Sequence, residues 1–385
     1  MRDSWQTLVA ASLVAAALAP AAAADLIVSA QDGKFVRVEG RATFPESPPA
    51  DSLVVVDASR FPPVVKATVE SGLEHTVQGP PQAVAITPDG KLAIVAAATR
   101  YDYAAKKELF DNFLQVVDLE ASPPAVVRVD VGAHANGLTI NRAGNLLLAA
   151  AHDGTVKVLT IEGKTVKPVS QVKVGEKRMS GIQFMPDGKA AIVALRDENG
   201  AAVLAVDGTN VTLTRERVAT GVNPYAIDVS SDGKWAVIGN TGVSRTVDDA
   251  DVVTLVDVSK RPFRAVQQIS VPATPEGVAI SPDGRWIAVS SMAGSNLLAT
   301  DPGRNKLGKV VLYEIRDGAA ARVNELPGGE AAQGVVFTQD SKTVIVQFDV
   351  ERELALYAIR DGKLVDTGER IKLAAGPVSI RSMPR

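Results

Sequence analysis

Few side chains in this 385-residue chain could do acid–base or metal chemistry, because it holds three His and no Cys. His134 and His152 could bind a metal together or work as base and acid, although ordinary hydrogen-bonding histidines are the favoured interpretation. No third ligand is fixed by sequence spacing, so we predict no metal site. The catalytic candidates, should the protein be an enzyme, are His134, His152 and Glu276. His75 is interpreted as structural.

Arginines and other polar residues form a second group of candidates. The guanidinium of Arg offers a planar fork of donors to a carboxylate or phosphate, so an oxyanion site is one interpretation. A solvated rim of cross-paired charges is an equal alternative. The predicted ligand-binding residues are Gln82, Arg100, Tyr101, Asp102, Tyr103, Asn136, Arg178, Arg196, Asn223, Tyr225, Gln333 and Arg352.

A repeat positions these residues. In EGVAISPDGRWIAVS, which begins at Glu276, two short apolar segments flank a Pro-Asp-Gly turn, and this pattern is typical of a β-hairpin. Imperfect copies recur at a spacing of roughly 45 to 55 residues. They begin at Gln82, Asn136, Ser180, Tyr225 and Gln333, and a truncated copy begins at Pro377.

A third apolar strand follows each hairpin, and a more polar fourth strand follows the third, as in the segments from Leu114 and Ala125. Four strands per repeat indicate an all-β, seven-bladed β-propeller of four-stranded antiparallel blades. Because the N-terminal blade lacks a first strand, we predict that the C-terminal strand joins it and closes the ring. The predicted blades are 377–385 with 25–79, 80–132, 133–176, 177–221, 222–272, 273–329 and 330–376, all in a single domain, 25–385.

The alternating strands predict two different faces. The Asp-Gly turns share one, which we call the turn face. The residues that lead into the first strands share the other with the loops between second and third strands, and we call it the loop face. It surrounds the central channel and carries the candidate residues and three long loops, 99–112, 239–250 and 290–309, so we expect function there. Arg245 lies in one of these loops, and Trp235 and Trp286 are expected to pack between blades.

Composition bounds the possible partners and the location. The net charge of −3 creates no field that would attract nucleic acid. Residues 1–24 read as a signal peptide with an Ala-x-Ala end at Ala24, and the apolar run is shorter than the ~20 residues of a spanning helix. We therefore expect a periplasmic or secreted protein without a membrane span after cleavage. The sequence contains no nucleotide fingerprint, and no cofactor is predicted.

The Pro-Asp-Gly hairpin and the later Val-Val-Asp strand, as at Val116 to Asp118, resemble the seven-bladed YVTN-type propellers. These lie in the same superfamily region as phosphogluconolactonase-like proteins and the heavy chain of methylamine dehydrogenase. The resemblance covers nearly all of the chain after residue 24. It implies the architecture and says little about activity, because such repeats occur in enzymes, binding proteins and scaffolds.

Two functions remain open at this point. The first is an exported propeller that binds a small polar metabolite or a partner protein through the loop face, as an accessory subunit of a larger system. The alternative is a lactonase-like hydrolase or lyase that acts on a small polar or acidic metabolite at the same face. In that case His134 and His152 would be the acid and base, with activity following a titration near ~6.5.

Overall fold

The computed structural model describes residues 25–243 and 248–384. The predicted signal peptide and Arg245 lie outside the described residues, so both remain predictions. Within the described ranges the chain forms β-strands and a short 3-10 helix, Arg196–Glu198. No helix in these ranges is long and apolar enough to cross a membrane.

Seven four-stranded antiparallel sheets form the blades, each with its innermost strand named first below. Blade 1 contains β32 (Gly376–Ser382), β1 (Leu26–Asp32), β4 (Ser52–Asp57) and β5 (Val64–Val69). Blade 2 contains β6 (Val84–Ile86), β7 (Leu92–Val95), β10 (Phe113–Asp118) and β11 (Ala125–Asp130). Blade 3 contains β12 (Ala135–Ile140), β13 (Leu146–Ala151), β14 (Thr155–Glu162) and β15 (Thr165–Lys173).

The remaining four blades repeat this order without interruption. Blade 4 contains β16 (Ile182–Phe184), β17 (Ala190–Leu195), β18 (Gly200–Asp207) and β19 (Asn210–Val218). Blade 5 contains β20 (Pro224–Val229), β21 (Trp235–Asn240), β22 (Asp251–Asp257) and β23 (Arg264–Val271). Blade 6 contains β24 (Pro275–Ile280), β25 (Trp286–Ser291), β26 (Lys309–Arg316) and β27 (Ala319–Pro327). Blade 7 contains β28 (Ala332–Phe337), β29 (Thr343–Phe348), β30 (Glu353–Arg360) and β31 (Lys363–Lys372).

The core lies between blades. The described residues form seven clusters of buried apolar side chains, one at each interface between neighbouring blades. Second strands are buried on both faces, whereas outermost strands such as β11 are largely exposed. Trp286 belongs to the cluster between blades 6 and 7, and Trp235 packs against the one between blades 5 and 6. Both tryptophans therefore pack between blades, as predicted.

The ring closes as predicted, because β32 pairs antiparallel with β1, with Ser29 opposite Ile380 and Ile27 opposite Ser382. His75 ties this junction to blade 2. Its Nδ1 donates to the carbonyl oxygen of Ala96 at 3.0 Å, and its Nε2 accepts from the Ser379 hydroxyl at 2.9 Å. The imidazole is fully buried, and this burial lowers the pKa of His75 to about 4. The structural role expected for His75 is confirmed.

Two further hairpins project from the loop face, and one of them lies within the predicted long loop 99–112. One is β2 (Val36–Val38) with β3 (Arg41–Thr43), which lies between the second and third strands of blade 1. We call residues 36–43 the strap. The other is β8 (Thr99–Asp102) with β9 (Lys107–Phe110), at the matching position of blade 2.

Candidate functional site

Two register positions of the repeat bring the candidates together. One lies near the start of the first strand in blades 2 to 7 and holds Gln82, Asn136, Ser180, Tyr225, Glu276 and Gln333. The other follows the second strand and holds His152, Arg196 and Asp349. Antiparallel pairing joins the two positions, as where the His152 amide donates to the His134 carbonyl oxygen at 2.9 Å. The predicted loop face is therefore one continuous surface.

Side chains bridge the channel at its centre. The Gln82 amide spans from blade 2 to blade 5, where its Nε2 donates to the Ile227 carbonyl oxygen at 2.5 Å and its Oε1 accepts from the Ile227 amide at 2.9 Å. The Tyr225 hydroxyl crosses in the opposite direction and donates to the Gly79 carbonyl oxygen at 2.5 Å. The polar atoms of these two predicted ligand-binding residues are thus engaged within the protein.

The two candidate histidines form a contact pair, with ring centroids 4.6 Å apart. His134 Nδ1 donates to the Asp111 carbonyl oxygen at 3.0 Å, and Phe110 packs edge-on against the His134 ring. Burial lowers the pKa of His134 despite that hydrogen bond. Burial, together with the charges of His134 and Arg178, lowers the pKa of His152 to about 3. The His152 ring is therefore neutral near pH 6.5, where an ordinary imidazole would titrate, and burial shifts the His134 ring towards its neutral form.

Blade 4 contributes two arginines on either side of Asp197. Arg178 Nη2 lies 3.3 Å from an Asp197 carboxylate oxygen, and Arg196 Nε lies 4.0 Å from the same oxygen. The Arg196 guanidinium also stacks 4.3 Å above the centroid of the Tyr225 ring. Among the described residues, Arg178 Nε and Arg196 Nη1 are buried and have no hydrogen-bond partner. A buried N–H group without an acceptor is costly, so these two donors favour the approach of an oxyanion.

Glu276 lies at the start of β24 and is only partly exposed, and its carboxyl is within electrostatic reach of Arg196. Its carboxyl makes no hydrogen bond or ion pair within the described ranges. Burial raises the pKa of Glu276 to about 7, against the opposing charges of Arg196 and Arg37. A carboxyl group that titrates near neutral pH can donate or accept a proton under ordinary conditions.

The strap supplies Arg37, a residue absent from the predicted site. The turn at Glu39 and Gly40 has φ of 50° and 78°, and it reaches past blade 7 to blade 6, where the Ala299 amide donates to the Glu39 carbonyl oxygen at 3.1 Å. A Cβ on Gly40 would lie 1.9 Å from the Leu297 carbonyl oxygen, so this contact requires glycine. Arg37 Nε is buried without a hydrogen-bond partner among the described residues.

The resulting cluster contains unpaired donors around a titratable carboxyl. We define the mouth as Arg37, His152, Arg178, Arg196, Tyr225 and Glu276. Guanidinium groups bind oxyanions through charge-assisted hydrogen bonds, and buried ones do so more strongly than exposed ones. The mouth can therefore hold a small anion against Glu276.

Asp349 extends this cluster towards blade 1. Its side chain is buried, and its Oδ2 lacks a hydrogen-bond partner in the described part of the chain. Burial raises the pKa of Asp349 to about 7, with Arg37 opposing the shift and Asp32 adding to it. A cleft beside it is lined by Arg37 and Arg352. Arg352 was predicted to bind ligand, and its Nη1 donates to the Ala374 carbonyl oxygen at 3.2 Å.

The predicted segment from Arg100 to Tyr103 lies on the β8–β9 hairpin and contacts the base of the strap. Tyr101 stacks on Phe44 at 3.9 Å, and the Tyr103 hydroxyl donates to the Pro45 carbonyl oxygen at 2.8 Å. Arg100 pairs with Asp111 at 2.7 Å, and Asp102 caps its own turn by accepting from the amides of Ala104 and Ala105 at 3.0 and 2.9 Å. Arg100 also lies 3.8 Å from a carboxylate oxygen of Glu74, so the polar contacts of this segment are with its own hairpin, the base of the strap and Glu74.

Three further predicted residues bind backbone groups. Asn136 Nδ2 donates to the Met179 carbonyl oxygen at 3.3 Å, while its Oδ1 is buried without a partner among the described residues. Asn223 Nδ2 donates to the Gly242 carbonyl oxygen at 2.6 Å. Gln333 is buried, and its Nε2 lies 3.4 Å from the Ala331 carbonyl oxygen. The Oδ1 atom of Asn136 could therefore accept a hydrogen bond from a ligand donor.

Sequence comparison gives no relatives, since neither a protein-family model nor a curated protein matches the chain. Solved structures are similar in fold. A chain of hydrazine synthase from Kuenenia stuttgartiensis is 20% identical, with a TM-score of 0.61 over 80% of this chain and 91% of that one.

Two Bacteroides proteins, each provisionally named a 6-phosphogluconolactonase, are also similar. The one from Bacteroides uniformis is 14% identical over 94% of this chain and 100% of its own, with a TM-score of 0.68. The one from Bacteroides fragilis is 14% identical over 95% and 99%, with a TM-score of 0.68. At these identities the likeness shows the seven-bladed fold alone.

Proposed function

We propose that the protein binds a small anionic metabolite, a carboxylate or a phosphate ester, in the mouth. This is the small-molecule form of the predicted loop-face function. The ligand would lie against Arg178 and Arg196, with Glu276 beside it. The bridges made by Gln82 and Tyr225 would form the floor of the site and prevent passage through the ring.

The unpaired donors of Arg178 and Arg196 carry this proposal. Each N–H group is buried and has no acceptor among the described residues, although arginine is seldom buried without one. Asp197 offsets part of their charge from one side only. An oxyanion of the ligand would satisfy both donors and add charge-assisted hydrogen bonds.

Replacement of Arg196 by Ala tests the proposal, with Arg285→Ala as a matched control. Arg285 also stacks on an aromatic ring, 4.5 Å from the Trp286 centroid, and pairs with Glu314 at 2.7 Å, but it lies on the turn face. Calorimetric titration with sulfate, malonate and a sugar phosphate should show at least about tenfold weaker binding for Arg196→Ala, since a charge-assisted hydrogen bond contributes ~1.5 kcal/mol or more. Arg285→Ala should bind like the wild type. Equal binding by all three proteins would contradict the proposal.

A hydrolase or lyase is the second candidate, favoured by the pKa of about 7 at Glu276 and by the lactonase names of two structural neighbours. In this case the Glu276 carboxylate would take a proton from water or substrate, and Arg178 and Arg196 would stabilise the oxyanion that develops. The histidine pair is less suited to general base catalysis, because burial lowers the pKa of both rings and so weakens them as bases. Assay of the same variants against a lactone panel separates the candidates, because only an enzyme would lose turnover in Glu276→Gln while retaining ligand.

We also propose that the protein is exported, on the basis of the leader-like residues 1–24. Mass spectrometry of the protein from its native host should show Asp25 as the N-terminus, in a soluble fraction outside the cytoplasm. An intact Met1 on membrane-bound protein would contradict this.

A partner protein on the loop face remains compatible with small-anion binding, since the strap and the β8–β9 hairpin project beyond the mouth.

A further inference from the structure

We infer that anion binding at the mouth is coupled to uptake of a proton by the Glu276 carboxyl, so that the ligand is held more tightly below neutral pH. This inference rests on the proposed function and specifies how the same site is regulated.

The position of Glu276 carries the inference. The charged groups that act on its carboxyl come from two elements: Arg196 from the end of β17 and Arg37 from the strap. Tyr225, the neighbouring titratable group, donates its hydroxyl to Gly79 and holds its proton, since burial raises the pKa of Tyr225 far above neutral pH. Glu276 itself has no hydrogen-bond or ion-pair partner within the described ranges. Its charge is thus balanced only by arginines that a bound anion would also use.

Two neighbouring anions would compete for those arginines. An ionised Glu276 repels an oxyanion bound at Arg196, whereas a protonated Glu276 can donate a hydrogen bond to it. Binding must therefore favour the protonated form, and by linkage the protonated form must bind more tightly. The pKa of about 7 for Glu276 places this exchange near neutral pH.

The histidines of the mouth do not produce the same effect. Burial and the charges of His134 and Arg178 hold the pKa of His152 at about 3, and burial also lowers the pKa of His134. Both imidazoles therefore stay neutral where Glu276 titrates. Asp349 is the other carboxyl on this face with a pKa of about 7, set by burial with Arg37, Asp32, Glu351 and Arg352 around it.

The experiment is calorimetric titration of the full chain with sulfate, whose charge is constant over this range, and with malonate as a carboxylate probe. Binding is measured between about pH 5.5 and about pH 8.5, in pairs of buffers with different heats of ionisation. Each unit by which the anion raises the pKa of Glu276 corresponds to about tenfold in affinity. We expect the wild type to take up protons on binding and its sulfate Kd to be about tenfold lower at the acidic end.

Glu276→Gln should bind sulfate without proton uptake and with nearly constant affinity, close to that of the wild type at low pH. Asp349→Asn is the matched control and should retain the pH dependence. Loss of the dependence in Asp349→Asn instead, or its persistence in Glu276→Gln, would overturn the assignment to Glu276. Arg196-dependent binding without proton uptake would overturn the inference and leave the proposed function standing. Failure of the wild type to bind either anion would overturn both.

Discussion

One carboxyl group on each face of the propeller, Asp232 and Glu276, shows a pKa shift of opposite sign. On the turn face, Asp232 accepts from the Ser230 hydroxyl at 2.7 Å and the Lys234 amide at 3.0 Å. These bonds and the Lys234 charge outweigh the burial of Asp232, and its pKa is lowered. On the loop face, burial dominates at Glu276 and raises its pKa to about 7. At these two residues, therefore, the turn face favours the ionised carboxyl and the loop face disfavours it.

The arginines differ in the same way. Arg285 on the turn face pairs with Glu314 and stacks on Trp286 in the open, whereas Arg196 stacks on Tyr225 but keeps Nη1 buried without a partner among the described residues. Unsatisfied buried groups reduce stability and persist where function requires them. The contrast between the faces therefore arises at positions where the blades differ from one another, and not at the repeated Asp-Gly turns.

Loss of the closing strand should have the largest effect, because blade 1 contributes to both faces. Truncation before Pro377 removes most of the β1–β32 pairing and the Ser379 hydroxyl that binds His75. It also exposes an inner sheet edge. We expect aggregation or a melting temperature lower by more than about 10 °C, measured by calorimetry or circular dichroism.

A chain that ends at Met383 is the control, since it keeps all of β32, and it should melt like the full protein. If the longer truncation melted within a few degrees of the full protein, the contrast between faces would survive without blade 1. Closure would then depend on other contacts.

The sequence predicted the architecture well because the turn chemistry is local and repeated. Asp89, Asp232 and Asp283 each accept from an amide two residues later, at 3.1, 3.0 and 3.1 Å, and each is followed by a Gly with φ near 70°. Because the hairpin pattern occurs seven times in the sequence, it predicts seven blades. The residues of the loop face follow from the same register, which is why His152, Arg178, Arg196 and Glu276 were among the candidates.

The sequence could not predict which of those candidates keep free polar atoms. Gln82 and Tyr225 look like ligand-binding residues until their partners across the channel, Ile227 and Gly79, are known. Those contacts join blades that are far apart in sequence. Arg37 was missed for a related reason. Its hairpin has a readable signal in the Glu39-Gly40 turn flanked by alternating residues, but its reach to blade 6 depends on the closed ring.

A smaller effect should appear when single carboxyls of the two faces are neutralised. The folded-state pKa of Glu276 is about 7, above its ordinary value of 4.5. The contribution of this carboxyl to folding stability is therefore complete below its ordinary pKa of 4.5, and it is lost as the pH rises through its folded-state pKa of about 7. Glu276→Gln removes this loss of stability, because glutamine does not ionise. We expect the variant to be more stable than the wild type at about pH 8 by about 1 to 2 kcal/mol, after allowance for solvent contact, and equally stable near about pH 5.

Asp232→Asn is the turn-face counterpart and should act with the opposite sign. The pKa of Asp232 lies below its ordinary value of 3.8, because hydrogen bonds from Ser230 and Lys234 and the Lys234 charge outweigh burial. Its contribution is therefore present above that value and is lost only as pH falls below it. Because the side chain is exposed, the variant should lose less than about 1 kcal/mol at about pH 8. Urea unfolding of both variants at the two pH values measures the difference. Destabilisation by both at about pH 8 would mean that Glu276 is paired in solution, and the contrast between the faces would not hold.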